Sequence, residues 1–216
     1  MNIPVNLPVH ATLLVAPGCP HCPQVKQVLN DLLAQSNIAS LEVVDISTDL
    51  ERAETFAVRS VPWLKLNNLA LQGQHSRDEI SYWVQQAGLP EGRQTLFDSL
   101  LEVGQLGQVE AMIRKDPSGL SDVLVLLADQ ERQINVRIGA SAVIEGLADS
   151  GLLDEAVDEI GLLTRHADAG TRTDACHILS FIHCPSSFKY LEAALDDTHQ
   201  DVRETARDSL DELNSL

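Results

Sequence analysis

A chain of 216 residues, 44% of them apolar, has ample material for packed cores and too much for a disordered chain. Its formal charge of −17, from 15 Lys and Arg against 32 Asp and Glu, argues against nucleic acid or an anionic membrane as a partner. No apolar run approaches the roughly 20 residues needed to span a bilayer, and residues 1–16 hold no Lys/Arg-rich leader, so a cytoplasmic location is expected. In a reducing compartment, four cysteines are read first as catalytic, metal-binding or core residues.

"TLLVA" (12–16) is a continuous apolar run stopped by Pro17-Gly18, the pattern of a buried strand. Val25, Val28, Leu29, Leu32 and Leu33 then form a helical stripe over 23–35. "LEVVDI" (41–46) predicts a second strand. Ser47-Thr48-Asp49 offers caps for a short helix carrying "LERAETFAV". "VPWLKL" (61–66) and "LALQG" (69–73) flank Asn67-Asn68, a two-residue hairpin signal. Ser76 with Glu79 three residues on predicts a capped helix running to Gly88. The order β-α-β-α-β-β-α implies an α/β domain with a small sheet, parallel then antiparallel, covered by helices.

Between the first strand and first helix stands "GCPHCP" (18–23), with Cys19 and Cys22 three apart. Strand ends that open a helix are where α/β sheets keep their sites. In a first helical turn the unpartnered N–H groups and the dipole stabilise a thiolate, lowering the thiol pKa from about 8.5 into roughly 3.5–7.5. Pro20 suits the first helical position, and a cationic His21 would favour the thiolate further. Pro23 within the first turn forfeits at most one helix bond. The residues leave three accounts of the pair: a redox dithiol, half a zinc site, or a tight structural disulfide. Structural zinc needs four ligands, and the only other cysteines, Cys176 and Cys184, lie some 150 residues on. A disulfide across three residues closes too small a loop to stabilise much. The redox dithiol is therefore preferred, with no metal and no bound cofactor.

With "GCPHCPQVKQVLNDL", "FAVRSVPWLKLNN" and "LQGQHSRDEISYWV", residues 11–90 resemble the thioredoxin/glutaredoxin superfamily. They are most similar to protein disulfide oxidoreductase units and to the N-terminal domain of the alkyl hydroperoxide reductase flavoprotein. The resemblance implies a thioredoxin-like fold with Cys19 as the exposed nucleophile and Cys22 as the buried resolving thiol. Pro62 would be the cis-proline facing the disulfide, while Val61 and Pro20 would border the substrate. Trp63 is read as core. Leu13 and Gly18 stand where thioredoxin proper carries an Asp and a Trp, which points away from a general-purpose reductase. The Gly-Gly-x-Asp of glutathione binding is missing from "LQGQHSRDE". The Pro-His dipeptide matches that of the bacterial periplasmic oxidant and implies a more oxidising couple.

From Gln94 onward the pattern is helix after helix. "NVRIGASAVIEGL" (135–147), "GTRTDACHILSFI" (170–182) and "DVRETARDSLDEL" (201–213) superimpose, with Arg137, Arg172 and Arg203 each followed by an Ala three residues on and an aliphatic seven on. Second helices are expected at 152–166 and 186–197, with 119–130 playing that part for an earlier repeat starting near Gln105. The pattern resembles HEAT repeats, which implies an all-α solenoid whose arginines bond within or between repeats. Cys176 and Cys184 are read as packing or helix-end residues, since eight helical residues span ~12 Å, beyond disulfide reach.

With "LPEGRQ" (89–94) as the junction, the expected domains are 1–90 and 93–216, the second carrying a net −13. The expected function is thiol–disulfide oxidoreduction on protein disulfides or dithiols, the helical part docking the protein substrate, a reductase or a peroxidase. The competing expectation is a non-enzymatic repeat adaptor with a redox-sensing clasp.

Overall fold

The computed structural model describes residues 7–56, 58 and 60–215. Residues 1–6, in the stretch searched for a leader, and Ala57 and Arg59, in "FAVRSVPWLKLNN", lie outside the described residues. The chain divides into two compact units between Leu96 and Phe97.

In the first unit, β1 (His10–Val15) runs parallel to β2 (Ser40–Asp45), Leu13 opposite Val43, and antiparallel to β3 (Trp63–Leu66), Leu13 opposite Leu64. A hairpin adds β4 (Leu69–Gln72), giving the order β2-β1-β3-β4. Because β1 is central, Leu13 and Leu14 are both fully buried, on opposite faces. Asn67 turns the hairpin at φ 51° and ties it down. Its amide donates to the Ala87 carbonyl (2.9 Å) and the Pro8 carbonyl (3.2 Å), and its oxygen accepts from the His10 N–H (2.9 Å).

Helix α1 (Cys22–Ala34) buries Val25, Val28, Leu29 and Leu32, and packs with α3 (Arg77–Ala87), which buries Ile80, Val84 and Ala87. Ser76 and Glu79 form the predicted capping box at the start of α3. The other helix, α2 (Leu50–Thr55), is capped by Asp49, which accepts from Arg52 N–H (3.1 Å). It ends at Thr55, short of the expected "LERAETFAV" segment, and Phe56 instead stacks on Trp63 with ring centroids 5.0 Å apart. That stack joins Leu14 and Val44 in a small second core.

Helix α4 (Gly92–Glu102) begins inside the stretch expected as the junction, and the division between units falls within it. The helical unit continues through α5 (Leu106–Lys115), α6 (Gly119–Ala128), α7 (Ile134–Gly146), a 3-10 turn (Ala148–Ser150), α8 (Leu152–Glu155), α9 (Val157–Leu163), α10 (Ala169–Leu179), α11 (Pro185–Ala194) and α12 (Gln200–Ser215). Two rows emerge: α5, α7, α10 and α12 contact in sequence, as do α6, α9 and α11, and the rows pair through α6–α7, α9–α10 and α11–α12. One continuous apolar core runs through both, from Phe97 to Leu213.

The superimposed arginines share one structural task. Arg137 donates to the Leu127 carbonyl (3.1 Å), Arg172 to the His166 and Ala167 carbonyls (3.0 and 3.1 Å), and Arg203 to the Asp197 carbonyl (2.7 Å). Each cation thus meets carbonyls at or just past the end of the preceding helix, where acceptors lack helical donors and the dipole is negative. Arg172 also grips Asp197 through two bonds of 2.7 and 2.9 Å. The helix expected over 152–166 is broken in two at Ala156, behind Gly151 at φ 73°. Gly161 in α9 is required by a close approach, because a Cβ there would run into the Tyr190 ring.

Candidate active site at the Cys19–Cys22 pair

Residues beyond the end of β1 set the geometry. Gly18 turns the chain at φ 78°, a left-handed conformation that L side chains rarely adopt, and delivers Cys19 in front of α1. The Cys19 N–H donates to the Ala16 carbonyl at 3.3 Å. Cys19 and Cys22 are joined by a disulfide with Cα atoms 5.6 Å apart, a normal separation for such a bond.

The two sulfurs are not equivalent. Cys19 is half-buried, whereas Cys22, facing the α1 core side, is 5% exposed. The backbone N–H of Cys22 donates to Cys19 Sγ at 3.2 Å. As the first residue of α1, Cys22 has an N–H with no intrahelical acceptor, so this donor is free to serve the sulfur. A thiolate at Cys19 is stabilised by the same bond and by the positive end of the helix dipole.

Register corrects one expectation. Pro20 precedes the helix, His21 is the N-cap without a side-chain cap bond, and Pro23 occupies the second helical position. The first helix bond comes from the Val25 N–H to the His21 carbonyl (3.3 Å), so Pro23 costs none. Pro20 and His21 are both exposed beside Cys19.

Opposite the disulfide stands the segment before β3. The Val61–Pro62 peptide bond is cis, Pro62 is buried, and its carbonyl accepts from the Gly73 N–H at 2.9 Å. The Val61 carbonyl lies 3.7 Å from Cys19 Sγ. In the disulfide that sulfur has no hydrogen to give; in the dithiol an S–H there would have this acceptor within reach. Cys19 and Val61, some forty residues apart in sequence, are therefore brought together, with Cys22 bonded to the first and Pro62 next to the second. Trp63 is 4% exposed, buried in the small core as read. Sequence reasoning missed the cations over Phe56, where Lys65 Nζ lies 5.3 Å and Arg52 6.0 Å from the ring centroid. The "LERAETFAVRS" segment gave no signal for them, because the pairing depends on α2 ending early. Leu13, at the position where thioredoxin proper has Asp, is fully buried beneath β1's neighbours.

The other cysteines stand apart in the helical unit. Cys176 is fully buried, and burial pushes its thiol up to about 12. Cys184 is the N-cap of α11, with Sγ 3.4 Å from Ser187 Oγ. Among the described residues no three His, Cys, Asp or Glu side chains gather to hold a metal ion, and no helix is long and apolar enough to cross a membrane.

Residues 10–85, from the first residue of β1 into α3, match the thioredoxin domain family. No curated protein matches the chain. The first unit is thioredoxin-like, with a cysteine pair suited to thiol–disulfide redox chemistry, and an all-α region follows it.

Proposed function

We propose that the chain is a protein thiol–disulfide oxidoreductase in which Cys19 is the nucleophile and Cys22 the resolving thiol. The observation that carries the reading is the asymmetry of the pair: a half-buried Cys19 whose sulfur accepts the Cys22 N–H at 3.2 Å, and a Cys22 that is almost fully covered.

In the reducing direction, the Cys19 thiolate attacks one sulfur of a substrate disulfide. The substrate S–S bond breaks, a Cys19–substrate disulfide forms, and the departing thiolate takes a proton from solvent. Cys22, losing its proton, attacks Cys19 Sγ. This forms the intramolecular disulfide and releases the second substrate thiol, so two electrons pass from the dithiol to the substrate. The reverse sequence oxidises a substrate dithiol. Val61 and Pro20 border the approach, Pro62 backs the sulfur, and exposed His21 favours the thiolate when cationic. No bound cofactor enters the exchange.

The helical unit is read as a short HEAT-like array that docks the protein substrate, or a reductase or peroxidase that shares its electrons. Two features support this: the paired rows of helices, and the common role of Arg137, Arg172 and Arg203 at helix ends. The reading places the exchange in the cytoplasm.

Replacing Cys19 with Ser tests the proposal. Insulin reduction by the parent chain, lost in Cys19→Ser with the fold retained by circular dichroism, is the expected result. A parent chain that binds partners yet never turns over would instead make it an adaptor with a redox-sensing clasp.

A further inference from the structure

Four large apolar side chains of the helical unit stand far out in solvent, Leu162 by itself on α9 and three others, Val103, Ile134 and Ile138, which are 68%, 66% and 63% exposed. These three share one place. Gln133 Nε2 donates to Glu102 Oε1 (2.9 Å) and Asn135 Nδ2 donates to the Glu102 carbonyl (3.2 Å), holding the α4–α5 turn against the start of α7. Ile134 and Ile138, four apart, form one ridge of α7.

The ridge is not needed to seat the helix. Val136, Ala140 and Val143 bury the other side of α7, and a Cβ on Gly139 would sit 3.2 Å from Leu101 and Leu106 side chains. The sister helices give an internal control. Counting from the superimposed arginines, Ile138 corresponds to Thr173 and Glu204, and Ile134 to Ala169 and Gln200. The repeat therefore folds with small or polar residues at these positions. β-Branched side chains also lower helix propensity, so local stability does not call for isoleucine there.

Charge narrows what covers the ridge. From residue 97 onward the chain holds 9 Lys and Arg against 23 Asp and Glu, a net −14. The cations beside the ridge are already engaged, Arg132 with Asp98 (2.6 Å) and Asp129 (2.9 Å), Arg137 with the Leu127 carbonyl. Exposed Glu102 and Glu131 flank it. An apolar anchor inside an acidic rim complements aliphatic side chains set among cations.

We propose that Val103, Ile134 and Ile138 form a docking ridge for a basic segment of a partner protein that presents Leu- or Ile-type side chains between Lys or Arg. This deepens the reading of the helical unit as the docking part and does not depend on the exchange chemistry.

The test uses the full chain and a labelled amphipathic helical peptide of Leu and Lys, with a Leu and Glu peptide as control, read by fluorescence anisotropy. Variants borrow the sister residues, Ile134→Gln with Ile138→Thr, so that folding is retained. The expected result is binding of the Lys peptide alone, weakened about ten-fold or more in the double variant. Cys19→Ser, which stops the exchange, leaves that binding unchanged, so failure here and failure of the exchange reading are read apart. Equal binding by wild type and double variant would reduce the effect to bulk charge and overturn the proposal. Absence of binding overturns it too. So does a concentration-dependent dimer in sedimentation that the double variant abolishes, which would assign the ridge to a second copy.

Discussion

The thioredoxin-like unit concentrates its chemistry at one junction, where Gly18, Cys19 and Cys22 meet Val61 and Pro62. The helical unit distributes its polar groups instead, setting Arg137, Arg172 and Arg203 each at or just past the end of a preceding helix. In the first case a backbone N–H with no helical acceptor is left over for a sulfur; in the second, carbonyls with no helical donor are satisfied by guanidinium groups. Both follow from the unpaired ends of helices. The difference is that an N-terminus stabilises a reactive anion, whereas a C-terminus holding an arginine is closed and stabilises the fold.

The sharpest test of this contrast is Cys22→Ser. Removing the resolving thiol should abolish turnover and trap Cys19 as a mixed disulfide with a disulfide substrate. A shifted band on a non-reducing gel, collapsed by dithiothreitol, is the expected outcome; no trapped species would mean that Cys19 is not the attacking group.

Thiol labelling separates the two units almost as strongly. After reduction, Cys19 should react with iodoacetamide rapidly at neutral pH, as a thiolate at a helix start does. Cys176, fully buried and with its thiol pushed up to about 12, should stay unlabelled until the chain unfolds. Mass spectrometry of timed aliquots reads both. Comparable rates for the two would remove the physical distinction drawn between them.

Next in size come the arginines. The side chains of Arg172 and Asp197 are each 12% exposed and joined by two hydrogen bonds. Arg172→Ala should cost about 2 kcal/mol, the range for hydrogen bonds to charged groups, read by urea unfolding of the full chain. The Arg52–Glu42 pair in the first unit is 41% and 48% exposed, so Glu42→Ala should cost no more than about 0.5 kcal/mol. Equal costs would break the comparison.

The dithiol and its setting were legible because Cys-x-x-Cys needs only local sequence, and strand and helix periods placed it at a junction. The capping box at Ser76 and Glu79 was legible for the same reason. Helix register at the site was not, since Pro20 and Pro23 both fit a first turn and only packing chooses between them. The early end of α2 depends on Phe56 finding Trp63, a contact seven residues away that no propensity encodes. The break at Ala156 was equally hidden, and so were the carbonyl partners of the arginines, whose recurrence alone was visible. What the periodicity could not indicate was which repeat positions face solvent, so Ile134 and Ile138 passed as ordinary helix residues.

The smallest effect turns on two carboxylates of opposite behaviour in the helical unit. The hydrogen bond from Arg172 holds Asp197 below the usual carboxylate range, helped by the backbone N–H of His199. Its stabilisation is present above the unfolded value of 3.8 and is lost as pH falls below it. Asp174 behaves in the other sense. Burial pushes its carboxyl up, although Arg137 Nη2 lies 4.0 Å away and His177 also favours the charge, while Asp168 opposes it. A group raised in the folded state contributes stability below its unfolded pKa and loses it as pH rises through the folded one. At neutral pH, therefore, ionised Asp174 is a small liability. Asp174→Asn should raise the thermal midpoint slightly at about pH 7, with the gain vanishing as pH falls through the raised folded value of the wild-type carboxyl towards the unfolded 3.8. Asp197→Asn should lower the midpoint at neutral pH and converge with wild type in acid. Melting both variants across pH reads the two signs directly. If Asp174→Asn destabilises at neutral pH, its attraction to Arg137 outweighs its burial, and the Arg137 site joins Arg172 as a closed ion pair.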